Sequence, residues 1–267
     1  VQTCALPICL ICWPRRSIRL SRRWFNHRGE SSLSNGRLAV GIIGAGPVGA
    51  VLGQALASAG HNLIGVASAS PQNLERLDAL IPEVPVLAIP DLIAAADLVV
   101  LAIPADQITP MVSGLAAAGV WRAGQLVAHT AGEHGYSILA PAAGARVIPL
   151  AIHPAMTFTG TSIDLVKISE SYFAVSAPNV ALPIAQALVI EMGAEPIVVA
   201  EADRATYFEA VSVANSFSKM IVNQAIGLLE NVGIENPRGV IGPLIRSAVE
   251  QALADGHKPL DPEELLS

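Results

Sequence analysis

Leu38-Ala39-Val40-Gly41-Ile42-Ile43-Gly44-Ala45-Gly46-Pro47-Val48-Gly49 is the stretch on which the fold turns. Residues 38–43 form a short apolar run that ends at glycine, the pattern of a buried strand. Residues 47–59 then carry helical spacing, opened by Pro47 and stopped by Gly60, the usual placement of proline and glycine at helix ends. Between the two stands Gly44-x-Gly46-x-x-Gly49. In a strand-turn-helix context each glycine has a mechanical task. Gly44 permits the tight turn, Gly46 lets the backbone approach a diphosphate, and Gly49 lets the helix pack on the strand. The helix N-terminus adds free N–H groups and a partial positive charge. Gly44, Ala45, Gly46, Pro47, Val48 and Gly49 are therefore expected to hold the phosphates of a dinucleotide.

Outward from this turn, strands and helices alternate. Strands are expected at 63–67, 84–87, 98–103, 126–129 and 146–150, and helices at 71–80, from 91, and at 106–118. Such alternation specifies a parallel, doubly wound sheet with right-handed crossovers. Strands at 173–176 and 196–199 flank a helix at 180–192 and are candidates to extend the sheet. From 202 to 253 the signal is nearly all helical, with helices at 202–231 and 238–254. The expected fold class is α/β: a Rossmann doubly wound parallel sheet followed by a mainly helical C-terminal domain. Residues 37–152 would form the dinucleotide-binding domain, and 153–267 the substrate and dimerisation domain, truncated at its end.

Composition agrees with a large core. Of the 267 residues, 52% are hydrophobic and 14% charged, which excludes a disordered chain. Aromatics are only 4%, so Ala, Val, Leu and Ile fill an interior of the kind found where helices cover both faces of a sheet. The first 36 residues differ. They hold all three cysteines (Cys4, Cys9, Cys12) and six of the 16 Lys/Arg, against a single acid, Glu30. Their opening Val1-Gln2-Thr3-Cys4-Ala5-Leu6-Pro7-Ile8 resembles the translation of a common sequencing adapter. Arg15 and Arg16 follow the apolar run, the reverse of a signal peptide. Residues 1–36 are expected to be a non-native or unstructured leader. The remainder has no cysteine and carries ten basic against 21 acidic residues. It has neither a disulfide framework nor a thiolate metal site, and no basic nucleic-acid footprint. Residues 38–60 are uncharged and long enough to span a membrane, but six glycines, a proline and a glutamine divide them into strand, turn and helix. A cytoplasmic protein with no nucleic-acid or membrane partner is expected.

Cofactor choice is read at the end of the second strand, where NAD calls for an Asp or Glu to bind the ribose 2′-OH. The chain has Val66-Ala67-Ser68-Ala69-Ser70 instead. Ser68 and Ser70 can donate to a 2′-phosphate, which favours NADP, with NAD as the alternative. Arg76, the nearest arginine, is set apart by sequence distance. Asp97-Leu98-Val99-Val100-Leu101-Ala102-Ile103-Pro104-Ala105-Asp106 resembles the fourth strand of the 6-phosphogluconate dehydrogenase-like superfamily, whose post-strand loop, here Ile103 and Pro104, borders the cofactor. His129-Thr130-Ala131-Gly132 and His153-Pro154-Ala155-Met156-Thr157-Phe158-Thr159-Gly160 narrow this. With the glycine loop they resemble the Rossmann-like proteins that carry the domain of unknown function 2520, actinobacterial members above all, over about residues 38–258. The resemblance implies a Rossmann domain, a helical C-terminal domain and a homodimer, and leaves the substrate open. Two departures stand out. Tyr207-Phe208 replaces the relatives' Tyr-His pair, and the relatives continue past the last helix with a Thr-Gly-Pro segment and more helix.

A hydride-transfer enzyme needs a group that moves a proton and groups that position the substrate. Asn215, Lys219 and Asn223 recur at i, i+4 and i+8 and share one helix face. The Lys-x-x-x-Asn spacing resembles that of β-hydroxyacid dehydrogenases, where the lysine is acid or base and the asparagine orients the substrate. Lys219 reads equally as a solvated surface residue. His129 and His153 end two strands, the side of an α/β sheet where ligands bind. Either is a candidate proton donor or carboxylate ligand, and His153 alternatively caps the turn before Pro154; His129 and Thr130 are also candidates to border the cofactor, Thr130 anchoring the nicotinamide or the substrate. No recognisable metal-ligand pattern is present. Asp203 and Arg204 read as a helix cap and a surface pair. These expectations describe an NADP-dependent oxidoreductase acting on the C=O or C=N bond of a small metabolite, possible substrates including a 2-oxo acid such as ketopantoate. The alternative is a non-catalytic dinucleotide-binding or regulatory protein.

Overall fold

β1 (Ala39–Ile43) is an interior strand of a seven-stranded sheet, next to the edge strand. In the computed structural model, which describes residues 37–67 and 70–256, β1 sits between β2 (Asn62–Ala67) and β3 (Leu98–Leu101). β4 (Leu126–His129) and β5 (Ile148–Pro154) follow on the β3 side, all parallel. β6 (Tyr172–Ser176) pairs antiparallel with β5, and β7 (Glu195–Val198) runs parallel to β6. The order is β2-β1-β3-β4-β5-β6-β7. The intervening helices are α1 (Pro47–Ser58), α2 (Pro71–Leu80), α3 (Ile89–Ala95), α4 (Ala105–Ala117), α5 (Ile163–Ile168) and α6 (Leu182–Glu191). Short 3₁₀ segments occupy Tyr136–Ala145 and Glu201–Asp203. Two long helices close the described chain, α7 (Arg204–Asn231) and α8 (Pro237–Asp255).

The core forms two layers, one on each face of the sheet. Val40, Ile42, Leu98 and Val100 enter the layer shared with α1 and α6. Ile43, Val99, Leu101 and Val127 enter the layer shared with α3 and α4. Side chains alternate between faces along a strand, and here both faces are covered. That is why these strands read as unbroken apolar runs.

Two expectations changed in detail. The strand at 84–87 is a single bridge between Val66 and Val86, held by Val66 N–H to Pro85 O and Leu87 N–H to Val66 O. Pro82, Pro85 and Pro90 have no N–H to donate, so a longer ladder cannot form. The strand at 146–150 begins later and runs on to Pro154, because Arg146 is left-handed (φ 57°) at the end of the 3₁₀ segment. Both prolines of β5 fall where one flank is open. β4 pairs with residues 148–151, leaving Pro149 free on the β6 side, and β6 pairs with residues 151–154, leaving Pro154 free on the β4 side. The strands expected at 173–176 and 196–199 do extend the sheet, as β6 and β7, and the purely helical part begins after Val198. The leader at 1–36 and Ser68 lie outside the described residues. Among the described residues, no helix is long and apolar enough to cross a membrane.

Candidate functional site

The glycine loop has the geometry its sequence requires. Gly44 has φ 99°, a left-handed conformation that disfavours any side chain, and its N–H donates to Ala67 O at 2.9 Å. A Cβ on Gly44 would lie 2.3 Å from Ala102 O, and one on Gly49 would lie 1.9 Å from Gly44 O. Backbone therefore packs on backbone at both positions. Gly46 is different: a Cβ there meets nothing within 4 Å. Gly46 is the N-cap residue of α1, Pro47 opens the helix, and no side chain caps its first turn. The first amides of a helix have no partner within it, and the space beside Gly46 at this end of α1 is open. Ala45 is buried, whereas Pro47 and Val48 are half-buried beside it.

The β3–α4 loop flanks this cradle, since Ile103 Cγ2 would lie 2.9 Å from a Cβ on Gly44. Pro104 caps α4 from an exposed position. Thr130, half-buried after β4, donates its N–H to Leu101 O at 3.2 Å. Ser70 is the N-cap of α2, with Oγ accepting from Asn73 N–H at 3.2 Å. Its hydroxyl proton remains available to a ligand.

A second cluster gathers where β4 and β5 end. His129 is fully buried. Its Nε2–H donates to Gly135 O at 2.9 Å and its Nδ1 accepts from Ala131 N–H at 3.2 Å, so both nitrogens are used inside the 129–135 loop. Glu201 holds the far end of that loop, accepting from Tyr136 N–H at 3.1 Å and Ser137 N–H at 3.0 Å. His153 Nδ1 shares a hydrogen bond with the Tyr207 hydroxyl at 2.9 Å, and its ring lies edge-on to Tyr207 and Phe208. Phe208 rests on Gly132, where a Cβ would come within 2.3 Å of the ring. Burial lowers the pKa of both histidines to about 4, and the Arg204 charge pushes the same way. Both imidazoles are neutral at pH 7.

Arg204 was read from the sequence as part of a surface pair, and the structure corrects this. Only 1% of it is exposed. Nε donates to Ser176 Oγ at 2.7 Å, and Nη2 donates to Ala151 O at 3.0 Å and Ala174 O at 3.1 Å. Nη1 has no partner, and no carboxylate pairs with the guanidinium among the described residues. The available clue was spacing. Arg204, Tyr207 and Phe208 stand at i, i+3 and i+4, one helix face, and that face meets the sheet.

Asp164 was also missed. It is fully buried and accepts from Thr159 N–H and Gly160 N–H at 2.7 Å and from Thr159 Oγ1 at 3.0 Å. Burial works against its charge, but these hydrogen bonds outweigh it and hold the carboxyl below its usual pKa. The signal was an acid four residues after a glycine that turns left-handed, Gly160 with φ 76°. Asp164→Asn removes one strong acceptor and is expected to cost about 2 kcal/mol in urea unfolding.

Asn215 and Lys219 are not brought to this cluster within one chain. Both are exposed on α7. At 1.5 Å of rise per residue they stand about 12 and 18 Å along the helix from Tyr207. Asn223 is exposed further on.

A model of a Rossmann-like domain matches residues 26–154, and a model of the domain of unknown function 2520 matches residues 171–260. No curated protein matches the chain. Among solved structures, a proposed NADP oxidoreductase of Bacteroides fragilis superposes with a TM-score of 0.65 at 19% identity, over 80% of each chain. The 1-pyrroline-5-carboxylate reductase of Streptococcus pyogenes gives 0.61 at 16% identity, over 86% of this chain and 84% of that one. The pyrroline carboxylate reductase of Plasmodium falciparum, with NADP bound, gives 0.57 at 12% identity, over 86% and 82%. At these identities the likeness is one of fold. With both halves of its sequence matched, the chain belongs to the Rossmann-like proteins that carry the domain of unknown function 2520.

Proposed function

We propose that the protein is an NAD(P)-dependent oxidoreductase acting on the C=O or C=N bond of a small metabolite, with NADP preferred. One observation carries the reading: the uncapped N-terminus of α1 opens at Gly46 onto free space, at the end of an interior strand paired on both sides. Strand ends of this kind are where such sheets bind ligands. The similar folds of an NADP oxidoreductase and of reductases, one with NADP bound, support it.

In this reading the loop Gly44, Ala45, Gly46, Pro47, Val48 and Gly49 holds the diphosphate, through the backbone N–H groups of Ala45, Gly46, Val48 and Gly49; the Gly44 N–H already donates to Ala67 O and Pro47 has none. Ile103, Pro104 and Thr130 border the cofactor, and Ser68 and Ser70 reach towards a 2′-phosphate. His129 contributes by shaping the 129–135 loop. The dinucleotide supplies or accepts the hydride. His153 faces the substrate as a neutral imidazole, so it polarises a carbonyl or imine by hydrogen bonding rather than by carrying a full charge. Arg204 lies close enough to both histidines to depress their pKa values, and this local positive charge favours an acidic substrate, a 2-oxo acid such as ketopantoate among them.

Asn215 and Lys219 enter through a homodimer. α7 and α8 bury almost nothing within the chain, only Arg204 and Pro237. They expose Val213, Phe217, Ile221, Leu228, Leu244 and Leu253, each between 47% and 78%. Apolar exposure on this scale marks an interaction surface, and a second copy of the chain would also bring polar groups of α7 near a partner's cluster. Ile221→Asp is expected to convert a dimer into a monomer in sedimentation equilibrium. A wild-type monomer would remove Asn215 and Lys219 from the site.

Titration with NADPH and NADH, then turnover on a panel of 2-oxo acids and cyclic imines, tests the whole reading. Binding with oxidation of NADPH by one panel member is expected. Phe208 packed on Gly132, where relatives carry histidine, favours a second reading, a dinucleotide-binding protein without turnover. Tight binding with no oxidation by any substrate would support it. A folded chain that binds neither dinucleotide would overturn both.

A further inference from the structure

Sequence distance separates Arg76 from the glycine loop, and the fold brings the two together. A Cβ on Gly160 would lie 2.5 Å from Arg76 Nε, 2.8 Å from its Cδ and 3.3 Å from the Cα of Pro47. The stem of Arg76 therefore lies across Gly160, directly beside the first residue of α1. Gly160 is held in place by Asp164 and, lacking a side chain, leaves room for the arginine. From there Nη1 reaches back along α2 to Asn73 Oδ1 at 2.9 Å, in the first turn of the helix that Ser70 caps. That hydrogen bond is the single one Arg76 makes among the described residues, and it forms no ion pair among them. Most of its five donors have no partner among the described residues.

A guanidinium with unused donors thus stands between the N-termini of α1 and α2. The segment from Val66 to Ser70 contains no carboxylate, so nothing there suits a bare ribose 2′-OH or repels a phosphate. We infer that Arg76 is the residue that selects NADP(H), by receiving the 2′-phosphate on its guanidinium fork, with the Ser70 hydroxyl beside it. An arginine near the end of β2 serves a 2′-phosphate dianion by charge and by bidentate geometry, whereas a ribose hydroxyl gains little from it. The inference rests on the dinucleotide reading above and gives it a specificity.

The test is a comparison of Arg76→Ala and Arg76→Lys with the wild type, using NADPH, NADH, 2′,5′-ADP and 5′-ADP as probes and thermal melting as the folding check. Arg76 is half-buried, so both variants are expected to melt near the wild type. Arg76→Ala should weaken NADPH and 2′,5′-ADP by about 10- to 100-fold and leave NADH and 5′-ADP within about two-fold. Arg76→Lys should recover part of the loss, since lysine keeps the charge but not the fork. Unchanged NADPH affinity would overturn the inference while leaving the dinucleotide reading intact. So would equal weakening of NADPH and NADH, which would place Arg76 on the diphosphate. A wild type that binds none of the four probes would overturn both.

Discussion

Gly46→Ala is expected to leave the protein as stable as the wild type and to weaken NADPH binding by about 100-fold. Stability should hold because the added methyl meets no protein atom within 4 Å. The backbone there, φ −63° and ψ −178°, also suits any L residue. A Gly→Ala change at a compatible conformation is neutral or slightly stabilising, through the unfolded chain. Affinity should fall because the empty volume is where a diphosphate must sit to reach the first amides of α1. Losing two charge-assisted hydrogen bonds, at about 1.5 kcal/mol each, corresponds to that factor. Gly49→Ala is the contrasting variant. Its methyl would press on Gly44 O at 1.9 Å, so it is expected to lose about 2 kcal/mol of stability as well as binding. Thermal melting and NADPH titration separate the two. If Gly46→Ala binds NADPH like the wild type, the space in front of α1 is not the phosphate site.

Acid should destabilise the fold well before the carboxylates titrate. His129 and His153 have pKa values lowered to about 4 by burial, against 6.5 in an unfolded chain. Between pH 6.5 and 4 the unfolded state takes up protons that the folded state refuses, so stability falls as pH falls through that window. Each histidine contributes at most about 3 kcal/mol to the loss. Above pH 6.5 both states hold neutral imidazoles and the effect vanishes. Unfolding free energies measured from pH 7.5 to 5 should therefore slope downward by up to two protons. The double variant His129→Gln with His153→Gln should flatten most of that slope. A wild-type profile that is flat from pH 7 to 5 would mean that the imidazoles take up protons in the folded protein.

Much of the fold was legible because the strands obey a simple rule. β1, β3 and β4 are covered on both sides and lack polar residues except at their ends, so their runs mark themselves. Helices opened by proline were equally clear, and α2 falls on the expected residues, 71–80. Pattern reading failed where pairing, not composition, decides. Residues 84–87 look like a strand, but flanking prolines limit them to one bridge. β5 was expected to end at 150 but runs on to Pro154, because its last residues pair with β6 while their other flank stays open. At the site, the glycine loop could be read because its constraints are local. Arg204, Asp164 and Arg76 could not, since burial or proximity comes to them from segments far away in the chain. His129 and His153 were flagged near strand ends, but their lowered pKa values come first from burial and then from the Arg204 charge, which no spacing reveals.

The rooting of α7 has a mechanical consequence. Its first turn is fixed to the sheet by Arg204 and steadied by Tyr207 against His153, while none of the rest of its 28 residues is fully buried. It is a cantilever about 42 Å long. Tilting it by about 10° at the root would sweep its tip through about 7 Å, with no strand disturbed. Whatever leans on the free end, and not the sheet that anchors the near one, therefore decides where the outer turns come to rest.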